Sequence, residues 1–155
     1  MTNHQRFAAV FTCFAVVAIS FVGSAPAWAS SKAGPRLSVK AQITTDWDAF
    51  FAGSTSSARK IALLQNGKSF AQVIDGQAGS VMAKSVTAKV TKVTLVSPSK
   101  ATVRYSLELG GQPALSNVSG EAILQDRVWK VGDQSFCALL ALEDVKAPAC
   151  PSAHG

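Results

Sequence analysis

The chain has 155 residues, 48% of them hydrophobic, and a formal net charge of +6. That length suits a single domain with one core. Its bases, among them Lys60, Lys68, Lys84, Lys89, Lys92 and Lys100, are spread singly and form no run, which argues against a nucleic-acid patch and for a solvated surface with at most a mild attraction to anionic envelope polymers or lipid headgroups.

Residues 1–29 have the pattern of a signal peptide. Arg6 supplies a positive start, Phe7–Val22 is an apolar run, and Ala27-Trp28-Ala29 is a small-x-small cleavage pattern. The run is shorter than the roughly 20 residues a spanning helix needs, so cleavage after Ala29 is expected in preference to a retained anchor. Cys13 falls inside the apolar run, away from any cleavage pattern, and is not read as a lipid-modified cysteine. Removing Arg6 takes the 15 basic residues to 14, against 9 acidic. Two cysteines then remain, Cys137 and Cys150, and an even count in an exported chain reads as a disulfide. A metal site lacks partners, because the only histidine left is His154 in the tail 151–155, which is expected to be frayed.

Residues 30–36 are small, polar and Gly/Pro-bearing, a flexible lead-in to one domain over residues 37–150. Ile43, Trp47, Phe50 and Phe51 recur at helical spacing, so a first helix is expected over Leu37–Ala52, stopped by Gly53. Ser54–Ser57 is a capping cluster for a short helix Ala58–Gln65. A third piece follows over Ser69–Asp75, and Val81–Ala83 reads as a further turn. After Lys84 the period switches to two. Val86, Ala88 and Val90 alternate, then Val93 and Leu95 on a shifted phase, which predicts a bulge near Thr91-Lys92. Ala101, Val103, Tyr105, Leu107 and Leu109 give one dry face to the next strand. Gly110–Pro113 turns the chain, and Leu115 and Val118 lead into a strand Gly120–Gln125. Asp126-Arg127 is a tight turn, and Val128–Val131 returns with Trp129 and Val131 on one face. Ser135–Leu142, with Cys137, reads as the last strand. Helices first and then four to five antiparallel strands argue an α+β domain, with a curved sheet around the first helix.

Several ordered features carry a family resemblance: Trp47–Phe51 (W-x-x-F-F), Val93–Val96, Ala101–Leu107, Trp129–Val131 and Ser135–Leu140. Together they resemble the small secreted mycobacterial antigens of the low-molecular-weight type, over about Leu37–Cys150. The resemblance implies an actinobacterial, exported protein with a cystatin-like or nuclear-transport-factor-2-like cone. It implies no catalytic residues. Related cones also serve as outer domains of membrane-anchored accessory proteins of lipid importers.

Enzymes on such cones place an acid and often a His or Tyr inside an apolar cavity. Asp46, Asp48 and Tyr105 are the candidates here. Tyr105 reads as a core residue and the two aspartates as solvated helix residues. With no internal histidine, a proton shuttle near neutral pH is poorly supplied. No dinucleotide motif, phosphate loop or Cys-x-x-Cys is present, and Asn117-Val118-Ser119 reads as a chance glycosylation match. The expectation is a non-enzyme without metal or cofactor, a monomer or weak dimer. Its partner would be an envelope lipid or protein, met at a cavity for which Trp47, Phe51, Tyr105 and Trp129 are the candidate lining. The alternatives are a cyclase- or isomerase-like enzyme and an accessory domain of a lipid-import system.

Overall fold

Ser38 starts the first helix, because its Oγ accepts from the Ala41 N–H at 3.2 Å and satisfies a donor the helix cannot. In the computed structural model, which describes residues 37–151, this helix α1 runs Val39–Phe51. It buries Ile43, Trp47, Phe50 and Phe51 along one stripe, as the spacing predicts. Gly53 ends it against the start of the sheet, where its N–H donates to the Val86 carbonyl at 3.1 Å. A Cβ at Gly53 would collide with the Lys84 carbonyl, so no larger residue fits that corner.

Helix α2 is Ser57–Leu63, capped by Ser56 from within the predicted serine cluster. It ends before the expected Gln65. Leu64 instead forms a parallel bridge with Val131, and the Gln65 N–H donates to the Val131 carbonyl at 2.8 Å. Asn66, in the left-handed region at φ 53°, then turns the chain. A 3₁₀ turn Gly67–Phe70 leads into α3 (Ala71–Gln77), and Ser80 caps the short α4 (Val81–Lys84).

Four strands follow in the order β1-β2-β3-β4, all antiparallel: β1 Val86–Ser97, β2 Lys100–Leu109, β3 Gln112–Gln125 and β4 Val128–Val131. The β1 register slips between Val90 and Lys92, at the predicted bulge. Asp126 and Arg127 both have positive φ, the conformation a two-residue hairpin turn requires. Two readings need correction. The turn after β2 is only Gly110-Gly111, and β3 begins at Gln112. Pro113 is tolerated because β4 pairs only with Ala122–Gln125, leaving that end of β3 with a single neighbour. Ser135–Leu142 is not a fifth strand but most of helix α5 (Asp133–Leu142). The segment lacks β-branched residues, its buried Phe136 and Leu140 are four apart, and Asp133 suits a helix start.

α1 touches both edge strands, β1 and β4, which a flat sheet would not allow, so the sheet curls around the helix. Trp47 meets Tyr105 of β2 edge-on at 5.1 Å, and Phe51 stacks on the same ring at 5.6 Å. Phe136 of α5 meets Phe50 and Phe70 edge-on at 5.6 and 5.4 Å. Such pairs contribute roughly 0.5–1.5 kcal/mol each beyond their area burial. The Cys137–Cys150 disulfide is present and ties α5 to the tail that follows it. The segment 1–29, its cleavage point and His154 lie outside the described residues.

Candidate functional site: an apolar cavity at the end of the curl

Leu107 and Leu109 carry the dry face of β2 past the rings of α1. At the C-terminal end of that helix the walls separate and leave a cavity of about 680 Å³. Phe50 and Phe51 of α1 form its floor with Phe136 and Leu140 of α5. Leu107 and Leu109 of β2 and Leu115 of β3 supply the sheet side, and Ile74 of α3 and Met82 of α4 the helical side. Strand alternation produces the sheet wall, since Tyr105, Leu107 and Leu109 share a face and only the last two extend past α1's rings.

Half of the polar lining comes from one continuous segment, Ser54, Thr55, Ser56, Ser57 and, one turn on, Lys60; the rest is Gln77, Ser80, Lys84, Glu108 and Glu143. Lys60 is half-buried, and burial lowers its pKa below the usual lysine value. It makes no ion pair among the described residues. Lys84, whose carbonyl packs against Gly53 at the start of that segment, also lines the cavity and makes no ion pair among the described residues. The carboxylates of the lining are Glu108 and Glu143, and the latter accepts from the Gln77 amide at 3.1 Å.

Of the four candidate lining residues, Phe51 alone reaches this cavity. Trp47, Tyr105 and Trp129 are buried side chains of the packed core, at 1%, 2% and 4% exposure. They lie where the curl is closed, so their rings fill space that Leu107, Leu109 and Leu115 leave open. Burial pushes the Tyr105 hydroxyl up to about 12, so it keeps its proton at neutral pH. Asp46 and Asp48 are half-buried, drier than helix-surface residues, but neither lines the cavity. Burial raises the pKa of both. Arg59, at 3.4 Å, opposes this at Asp46, and the Val90 N–H opposes it at Asp48. Asp48 Oδ1 and Trp47 Nε1 are buried without hydrogen-bond partners among the described residues. Among the described residues no three His, Cys, Asp or Glu side chains converge to hold a metal.

The residues that line the cavity are mostly ones the sequence presents as helix ends and ordinary strand positions. Leu107 and Leu109 were legible as a dry strand face, but nothing in the pattern marks where that face outruns the helix. The α5 wall was hidden by its reading as a strand.

An α+β domain with one amphipathic helix in a curled four-stranded sheet, open and apolar at one end, is the class that this geometry defines. The sequence pattern of the low molecular weight antigen MTB12 C-terminal domain matches residues 35–147, and the chain belongs to that family. No curated protein matches the chain in sequence. Among the described residues no helix is long and apolar enough to cross a membrane.

Proposed function

We propose that this protein is an exported, non-enzymatic binding protein of the cell envelope or extracellular space. Its ligand is a small apolar molecule held in the cavity at the open end of the curl. Membership of an antigen family and the signal-peptide pattern of residues 1–29 support the compartment. The observation that carries the binding role is the cavity itself. Its volume falls within the roughly 300–1,000 Å³ of small-molecule sites, and most of its wall is aliphatic and aromatic, with polar groups among it.

The cyclase- or isomerase-like alternative needs an acid–base set inside the cavity. The acids that reading names, Asp46 and Asp48, lie elsewhere, and the ionisable groups that do line the cavity, Lys60, Lys84, Glu108 and Glu143, form no ion pair with one another among the described residues, which favours binding over catalysis. Native mass spectrometry of the protein taken from its own culture medium tests the proposal. A bound apolar compound is the expected result, with an N-terminus at Ser30. Protein that is always empty, and that takes up no acyl compound when one is added, would refute the binding role. An intact Met1 in membrane fractions would favour the transporter-accessory reading.

A further inference from the structure

We infer that the ligand is a single-chain amphiphile with an anionic head, its carboxylate on Lys60 and its chain along Phe51, Leu107 and Leu140. The inference rests on the binding role proposed above and adds the ligand's class. Lys60 carries it. A half-buried ammonium beside an apolar wall, with no ion pair among the described residues, has lost hydration that none of those residues replaces. An anion placed there makes a charge-assisted hydrogen bond in a partly dry setting, the strong kind. Burial already disfavours the free charge, as the lowered pKa of Lys60 reflects.

The distribution of polarity sets the ligand's shape. The Ser54–Ser57 hydroxyls and Lys60 belong to one segment, while the floor and, apart from Glu108, the sheet side are hydrocarbon. That pattern fits a molecule polar at one end and apolar along its body. Met82 and Leu142 line the mouth yet are 62% and 67% exposed, so apolar surface there awaits cover. Met82 is unbranched and adapts to a flexible chain. The lining carboxylates do not compete for the lysine: Glu143 is held by Gln77, and Glu108 forms no ion pair with Lys60.

The test compares dodecanoate with dodecanol by titration calorimetry on the secreted chain, below micelle-forming concentrations. Dodecanoate is expected to bind about tenfold more tightly, a difference of the size a charged hydrogen bond supplies. Extending the chain from decanoate to dodecanoate is expected to tighten binding by on the order of tenfold, from two more buried methylenes. Lys60→Gln should abolish the preference for the acid, weakening dodecanoate by far more than dodecanol, while Lys60→Arg and Lys84→Gln should retain the preference. Equal wild-type affinities for the two compounds would overturn the anionic head and leave the apolar site standing. Loss of the preference in Lys84→Gln rather than in Lys60→Gln would overturn the assignment to Lys60. Binding of neither compound would overturn both this inference and the ligand role. So would a solution dimer that buries Met82 and Leu142, since it would give the mouth to a second copy of the chain.

Discussion

A Cβ on Gly120 would lie 2.8 Å from Cη2 of Trp47 and 3.0 Å from Cζ2. The indole at the centre of α1 therefore rests against a strand position that has no side chain. Gly120 pairs with Val103 in the middle of β3, where a β-branched residue would otherwise be favoured. The Ser135 Oγ closes the same space from α5, 3.2 Å from that Cβ position, while accepting from the Glu121 N–H at 2.8 Å. Gly120→Ala should lower stability by about 1–3 kcal/mol, the usual cost of overpacking a filled core. Urea denaturation checks it, and an unchanged midpoint would mean that the indole shifts freely.

Trp129 is the corresponding anchor at the β4 edge. It faces inward from β4, opposite Leu124, on a strand of only four residues. The outer edge of that strand is held by the Gln65 N–H, so the packing of Trp129 and this contact keep β4 in place together. Trp129→Ala is expected to cost about 3–5 kcal/mol. A melting temperature equal to wild type would show that β4 does not depend on its aromatic residue.

Much of this architecture was legible in the sequence, and the failures share a physical cause. The α1 stripe, the β1 bulge, the β2 dry face and the Asp126-Arg127 turn are set by local periodicity and turn chemistry, which one segment can display. The helical state of α5 was missed because Phe136, Leu139 and Leu140 suit a buried strand or a buried helix equally on composition. Their four-residue spacing and the absence of β-branched residues were the usable signal. The length of β3 was hidden by Pro113 and Asn117, two residues that ordinarily mark turns. Asn117 adopts positive φ within the strand, where its side chain accepts from Arg104 Nη1 at 3.1 Å. The cavity was the least legible feature, since it arises where several segments distant in sequence fail to meet.

The disulfide acts on the cavity wall as well as on the unfolded chain. Cys137 lies on α5 beside Phe136, and its partner Cys150 is 13 residues on. Closing a loop of that size is worth about 3 kcal/mol on the chain-entropy model. Cys137→Ser should lower stability by about 2–4 kcal/mol. It should also weaken any ligand held against Leu139 and Leu140, because the helix that carries them loses its tether. Denaturation with and without reductant measures the first effect, and free thiols on both cysteines of the protein purified without reductant would contradict the pairing.

Asp48 gives a pH dependence whose sign follows from its surroundings. Burial raises its pKa in the folded chain above 3.8, while the unfolded chain keeps the ordinary value. Between those two values the folded state holds a proton that the unfolded state has released. Stability therefore falls as pH rises through that window, and above it the folded protein carries the full cost of a half-dry carboxylate. Asp46 contributes in the same direction, lessened by Arg59. Asp48→Asn keeps an oxygen for the Val90 N–H and removes the charge. It should raise stability at pH 7 by about 0.5 kcal/mol or less, since water still reaches the group and screens it. The gain should shrink as pH is lowered toward 4, where the native carboxyl takes up its proton. Thermal melts of both proteins between pH 4 and 7 provide the check. A variant that is less stable at pH 7, or a difference that grows on acidification, would show that the carboxylate is stabilised by charge where it sits.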